Sequence, residues 1–295
     1  MKIIQSFAQF DEGSPYLQHR KKRDYIYLQF YGFLLSQLTI TKHCGSITMF
    51  CNQKAYDTFF KYIQYGNIII KENDNGFYMW SKYKLDCLRT VNDDFLHIDS
   101  DVFVDKNFFT DFIDGRCDVL VQDIVPFKEN SLRHFVITNR EYFKDTKILT
   151  KPFDGRAVSC GTVGVNRMAQ EYYFAGIDVF YNDMLKIGLE KISYSTLLLE
   201  EQLLYLLAFE NDFRLNTILS NDDVAKYGIL EAGKRIGYLH IWMQLKYKRI
   251  VIDYIRKRIF LEFPEHYETI LKYEHDVLSK FKFFQHMNFP MIYDS

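Results

Sequence analysis

Two carboxylates two residues apart, Asp99 and Asp101, interrupt an apolar stretch that runs from Phe95-Leu96-His97-Ile98 to Val102-Phe103-Val104. In an extended strand, residues i and i+2 project to the same side, so this pair can converge on one cation. Hard carboxylate oxygens suit Mg²⁺ or Mn²⁺, which commonly bridge a protein carboxylate and substrate phosphates. Open α/β sheets bind ligands beyond the carboxyl ends of their strands, which is where the pair falls, immediately after a buried apolar strand within the run Phe95 to Val104. The competing reading is a turn that merely contains two aspartates.

Three other segments carry side chains or backbone suited to chemistry. Ser159-Cys160-Gly161-Thr162-Val163-Gly164-Val165-Asn166 contains two glycines, which allow close approach of the backbone to another group. Glu200-Glu201-Gln202 sits in an otherwise apolar helix, Leu197 to Phe209, where acidic residues need a reason. A carboxylate there can serve as a general base or stabilise positive charge; an acidic N-terminal bias that suits the helix dipole is the plainer alternative. His240, in Tyr238-Leu239-His240-Ile241-Trp242, is either a hydrogen-bonded core residue or a metal ligand beside carboxylates. His97 precedes the acidic pair and reads as a packed core histidine.

The elements that must position these residues alternate. Lys2 to Phe7, Ser46 to Cys51 and Asn67 to Ile70 read as strands. So do Val119 to Gln122, Phe135 to Thr138, Val158 to Val165, Phe213 to Leu219 and Gly237 to Trp242. Between them, Asp24 to Thr41, Lys54 to Gln64, Phe77 to Val91, Arg167 to Leu189 and Leu197 to Asn211 have helical spacing, and Gly45 stands where the first helix should stop. This alternation predicts an α/β sheet covered on both faces. Lys248 to Ser295 lacks a strand signal apart from its last residues and reads as a C-terminal helical extension broken at Pro264. The domain division expected is therefore 1–247 for the main unit and 248–295 for the extension.

Composition narrows the classes. Lys plus Arg number 37 against 38 for Asp plus Glu in 295 residues, which argues against a general nucleic-acid binder. The five cysteines, without CxxC spacing, fit neither a zinc module nor a disulfide framework. No run approaches the roughly 18 apolar residues of a membrane span, and Met1 to Phe10 is too polar for a signal peptide. A cytoplasmic location is the expectation. Lys246, Lys248, Arg249, Arg256, Lys257 and Arg258 interleave with apolar residues, a pattern that fits peripheral contact with anionic lipid or a packed helix with a solvated face.

The order of an N-terminal strand, Trp80-x-x-x-Lys84 and His97-Ile98-Asp99-Ser100-Asp101-Val102-Phe103 resembles GT-A-fold glycosyltransferases. It is most similar to small bacterial glycosyltransferase-like proteins with a His-Ile-Asp-Gly-Asp-Val-Phe run, Ser100 standing in place of the glycine. The resemblance covers roughly residues 1 to 245 and implies a GT-A-like, Rossmann-like mixed sheet with helices on both faces. It implies that Asp99 and Asp101, with His240, hold Mn²⁺ or Mg²⁺ against the diphosphate of a nucleotide sugar, a UDP-sugar being favoured. Ser6, Lys84, Ser100 and Gly161 would then lie on the donor side, and Glu201 would act at the reacting sugar carbon or the acceptor hydroxyl. The basic run Arg20 to Arg23 would border the nucleotide if it is more than an exposed loop.

Two alternatives stand beside this reading. Haloacid-dehalogenase-like phosphatases also place D-x-D at a strand end, with Mg²⁺, and Ser220-Asn221-Asp222-Asp223 supplies a later acidic cluster. They use their first strand, however, whereas nearly 100 residues precede Asp99 here. A non-catalytic GT-A-like protein that binds a nucleotide or partner is the other.

Overall fold

The apolar, β-branched runs form the strands expected of them, and the order of those strands sets where the acidic pair emerges. A computed structural model describes residues 1–9, 22–72, 80–126, 156–186, 188, 197–241 and 249–278. Strands β1 (Lys2–Phe7), β2 (Ile47–Cys51), β3 (Asn67–Ile70), β4 (Phe95–Ile98), β6 (Val119–Pro126), β7 (Arg156–Val165) and β8 (Leu215–Thr217) form one sheet. Their order is β3-β2-β1-β4-β7-β6-β8. β1 to β4 run parallel, β7 is antiparallel to both β4 and β6, and β8 is parallel to β6. The sheet is thus mixed, and β4 lies at its centre.

Alternation along the strands divides the core between two faces. Ile4 and Phe95 pack into one cluster with Tyr83, Leu88, Tyr173, Ile177, Leu203 and Leu204. Their neighbours Ile3 and Leu96 pack into another with Ile40, Ile47 and Val104. All four residues of β4 are buried, as a strand covered on both sides requires. The first helix, α1 (Lys22–Cys44), stops at Gly45, whose φ of 110° suits a residue without Cβ. The expected strand Phe135–Thr138, together with Arg20, Lys21, the side chains of Lys22, Arg23 and Trp80, and Trp242, lies outside the described residues.

Two elements depart from the sequence reading. Phe95 to Val104 is not one strand: β4 ends at Ile98, and β5 (Val102–Val104) pairs antiparallel with β9 (Tyr238–His240) in a separate two-stranded sheet. Asp99 and Asp101 therefore lie in a turn, closed by the Val102 N–H donating to the Asp99 carbonyl at 3.1 Å, and strand alternation does not aim them. The second departure is at Leu197 to Asn211, where a π-helical turn (Leu198–Gln202) precedes a regular helix (Leu203–Glu210). Such turns widen the helix locally and often sit at functional sites.

The C-terminal helices, Arg249–Glu262 and Tyr267–Tyr273, join the main core. Ile255, Ile259, Phe263, Ile270 and Tyr273 share a cluster with Phe30, Phe33, Leu34 and Leu38 of α1. Phe30 stacks on Tyr273 with ring centroids 3.6 Å apart. Pro264 opens the short turn between the two helices, where a missing N–H matters least. Arg258 hydrogen-bonds Asp105 and Glu262, and Arg256 lies 3.5 Å from Glu274. Arg256 and Arg258 are thus drawn into internal pairs, as in a packed helix, and give no support to peripheral membrane contact; Lys246, Lys248 and the side chain of Arg249 lie outside the described residues. Among the described residues, no helix is long and apolar enough to cross a membrane.

Candidate functional site

The turn after β4 is tied down from two sides. The Asp99 N–H donates to the Gly161 carbonyl at 2.8 Å, and the Ile241 N–H donates to the Asp101 carbonyl at 3.0 Å. Val102 pairs with His240 across the small sheet, which brings the histidine over the turn. Ligand atoms of Asp99, Asp101 and His240 all lie within 4.8 Å of one another, and all three residues are partly exposed. His240 Nε2 is 3.3 Å from Asp101 Oδ1.

The sequence reading missed what orients this histidine. Gln122 is fully buried, and its Oε1 lies 2.7 Å from His240 Nδ1 and accepts from the Tyr238 hydroxyl at 3.2 Å. An amide oxygen only accepts, so the hydrogen bond at Nδ1 is donated by the imidazole, which turns Nε2 toward the aspartates. Two carboxylates and an imidazole within reach of one another form a donor set that fits Mn²⁺ or Mg²⁺. Gly161 makes this packing possible: a Cβ there would lie 2.4 Å from both Gln122 Oε1 and His240 Nδ1. The groups that pack closely against this glycine are the side chains of Gln122 and His240. Gln122 faces it where β6 and β7 fall out of register between Val121 and Asp123, an irregularity invisible in residue types.

Beneath the turn lies a buried cation. Lys84, 5% exposed, has its Nζ 3.0 Å from Asp99 Oδ1 and 3.0 Å from the Cys160 carbonyl, and it ion-pairs with Glu200 Oε1. Three protein oxygens already surround the ammonium that the sequence placed near the donor phosphates. Burial alone would favour neutral Lys84, but the carboxylates of Asp99 and Glu200 outweigh it and raise its pKa above the ordinary value.

Glu200 and Glu201 both fall in the π-helical turn but in different surroundings. Glu200, 2% exposed, faces Lys84, and its carboxyl is raised by burial against the pull of that lysine. Glu201 is partly exposed, and burial together with the adjacent Glu200 pushes its carboxyl up to about 8. Asp123, fully buried opposite Ser159, is raised by burial as well and adds to the negative field around Glu201. The site therefore crowds carboxylates around one lysine.

Ser6, at the C-terminal part of β1, places its Oγ 2.9 Å from His97 Nε2. His97 is fully buried, and burial first, then Lys84, holds its pKa well below the ordinary value, as befits a neutral core imidazole. Its Nδ1 stands 3.6 Å from Asp99 Oδ1, beyond hydrogen-bond reach. Ser100 lines a recess with Gln29, Gly32, Asp101, Phe103 and Ile255, so a C-terminal helix contributes to its wall. Asp222 and Asp223 are exposed in the first turn of the helix Asn221–Tyr227.

Residues 1–273 match the model of a family of unknown function, DUF6734, and the chain belongs to that family. No curated protein matches it in sequence. Among solved structures it is similar to the apo bifunctional glycosyltransferase WbbM, at 15% identity and a TM-score of 0.41, covering 82% of this chain and 46% of that one. Glycosyltransferase GlyE of Streptococcus pneumoniae TIGR4 is similar at 12% identity and a TM-score of 0.40, with 88% and 63% covered. Galactosyltransferase LgtC, in complex with donor and acceptor sugar analogues, is similar at 10% identity and a TM-score of 0.36, with 62% and 66% covered. The chain spans less than two thirds of the length of each of these proteins.

Proposed function

We propose that this protein is a metal-dependent, GT-A-like glycosyltransferase. It would move a sugar from a nucleotide-sugar donor, UDP-sugar being favoured, to a hydroxyl-bearing acceptor in the cytoplasm. The observation that carries this reading is the convergence of Asp99, Asp101 and His240 at the C-terminal end of the central parallel strand, where α/β sheets bind ligands. Asp99, Asp101 and His240 Nε2 would hold Mn²⁺ or Mg²⁺. Such an ion, when bound, supplies charge that stabilises a departing diphosphate.

The chain's own groups account for the rest. Gln122 fixes the tautomer of His240, and Gly161 leaves room for both side chains. Ser6 and Ser100, on the rim of the same strand ends, are assigned to the donor side. Glu201, on the π-helical turn, is assigned to the reacting sugar. With a pKa near 8 it carries a proton at neutral pH in the metal-free protein, so its work as a base would grow as pH rises toward that value. Residues 1–247 form the proposed catalytic unit, and 248–295 an extension whose Ile255 helps wall the recess beside Ser100.

The test is release of nucleoside diphosphate from a panel of UDP-, GDP- and CDP-sugars, with Mn²⁺ or Mg²⁺ and with chelator. Metal-dependent release from one donor class, abolished in Asp99→Asn and Asp101→Asn, is the expected result. Binding of a nucleotide without release from any donor would favour a non-catalytic binding protein. Phosphate release from simple phosphate esters would favour the phosphatase.

A further inference from the structure

We propose that Lys84 is a positioning residue: a built-in cation that competes for Asp99 with the divalent ion, while Glu200 sets how strongly it competes. The inference rests on the metal site proposed above but concerns residues outside that ligand set. Lys84 Nζ sits 3.0 Å from Asp99 Oδ1 and also ion-pairs with Glu200 Oε1, so one ammonium is shared between a candidate ligand and a buried carboxylate. The Cys160 carbonyl, 3.0 Å away, fixes the ammonium from the strand that also receives the Asp99 N–H. Lys84 thus joins three elements: the acidic turn, β7 and the π-helical turn that carries Glu201.

The electrostatics follow from this sharing. A divalent ion on Asp99 and the Lys84 ammonium are like charges drawn to the same carboxylate, so each weakens the other's hold. Glu200 offers the ammonium a second anion. It is 2% exposed, and in a poorly solvated position its attraction is little screened. While Glu200 holds Lys84, Asp99 is left freer for the ion; weaken that hold, and Lys84 turns more fully to Asp99. The pair therefore acts as a counterweight that tunes the affinity of the metal site and couples it to the turn bearing Glu201.

Mn²⁺ affinity in a double-mutant cycle tests this without any turnover. Free Mn²⁺ is read by electron paramagnetic resonance and the bound fraction checked by calorimetry, with thermal melting recorded for each variant. Glu200→Gln keeps an oxygen facing Lys84 and should weaken Mn²⁺ binding by roughly three- to tenfold. Lys84→Met should tighten it by about tenfold. The two together should match Lys84→Met alone, because Glu200 acts through the lysine. Should Lys84→Met fail to fold, the comparison of Glu200→Gln with the double variant still decides, since removing both charges of a buried pair is better tolerated than removing one. An unchanged affinity in Glu200→Gln overturns the inference. So does an effect of Glu200→Gln that persists in the Lys84→Met background, or a double variant that binds as weakly as Glu200→Gln. Absence of Mn²⁺ binding by the unmodified protein would instead defeat the metal site itself.

Discussion

Glu201 offers the most quantitative handle on the site. Burial and Glu200 lift its carboxyl from the ordinary value of 4.5 to about 8, so the folded protein binds a proton there more tightly than the unfolded chain does. Stability from this group is complete below the unfolded value and is lost as pH rises through the folded one. A shift of this size corresponds to at most about 5 kcal/mol. Because the side chain is partly exposed, solvent screening reduces the expectation to about 2 kcal/mol. Glu201→Gln cannot titrate, so it should escape that loss. The assay is urea unfolding in chelator at about pH 5.5 and about pH 8.5, with the slope on denaturant held as a check that the unfolded state is unchanged. The unmodified protein should lose about 1 kcal/mol more than the variant across that interval, since part of the contribution is already gone at about pH 5.5. Glu200 and Asp123, also raised by burial, are present in both proteins, so the difference reads the titration of Glu201 together with its coupling to these two neighbours. Equal losses in the two proteins would refute the placement of Glu201 in this crowded negative field.

Further outcomes are open to measurement. Gln122→Leu removes the oxygen that accepts from His240 Nδ1–H and should weaken Mn²⁺ binding by about tenfold, beyond any change in melting temperature, as loss of an outer-shell partner does. Ile259→Ala, at a fully buried position where a C-terminal helix meets α1, should destabilise by about 3 kcal/mol in denaturant unfolding. A value below about 1 kcal/mol would mean that this helix is peripheral to the fold.

Strands and helices were legible because their apolar periodicity is local. Ser46 to Cys51 reads as a strand and is one, and Gly45 marks the end of the preceding helix. The turn at Asp99 was hidden because β4 and β5 are both apolar, and residue types do not reveal that consecutive strands enter different sheets. Asp99, Asp101 and His240 were visible as side chains able to bind metal, and only the pairing of Val102 with His240 brings them together. Gln122 gave no signal, since a glutamine in an apolar strand is ordinary until its long-range partner is known. Lys84 was found for its charge, yet a lysine's neighbours 76 residues away cannot be read from its own helix.

The most direct measurement is calorimetric titration of UDP, with GDP and CDP beside it, into the protein with Mn²⁺ and with chelator, repeated on the Asp99→Ala, Asp101→Ala double variant. The expected result is saturable binding of one nucleotide that needs Mn²⁺ and disappears in the variant. Binding that is indifferent to the metal and to both aspartates would contradict the proposed site. So would the absence of any nucleotide binding while the protein remains folded.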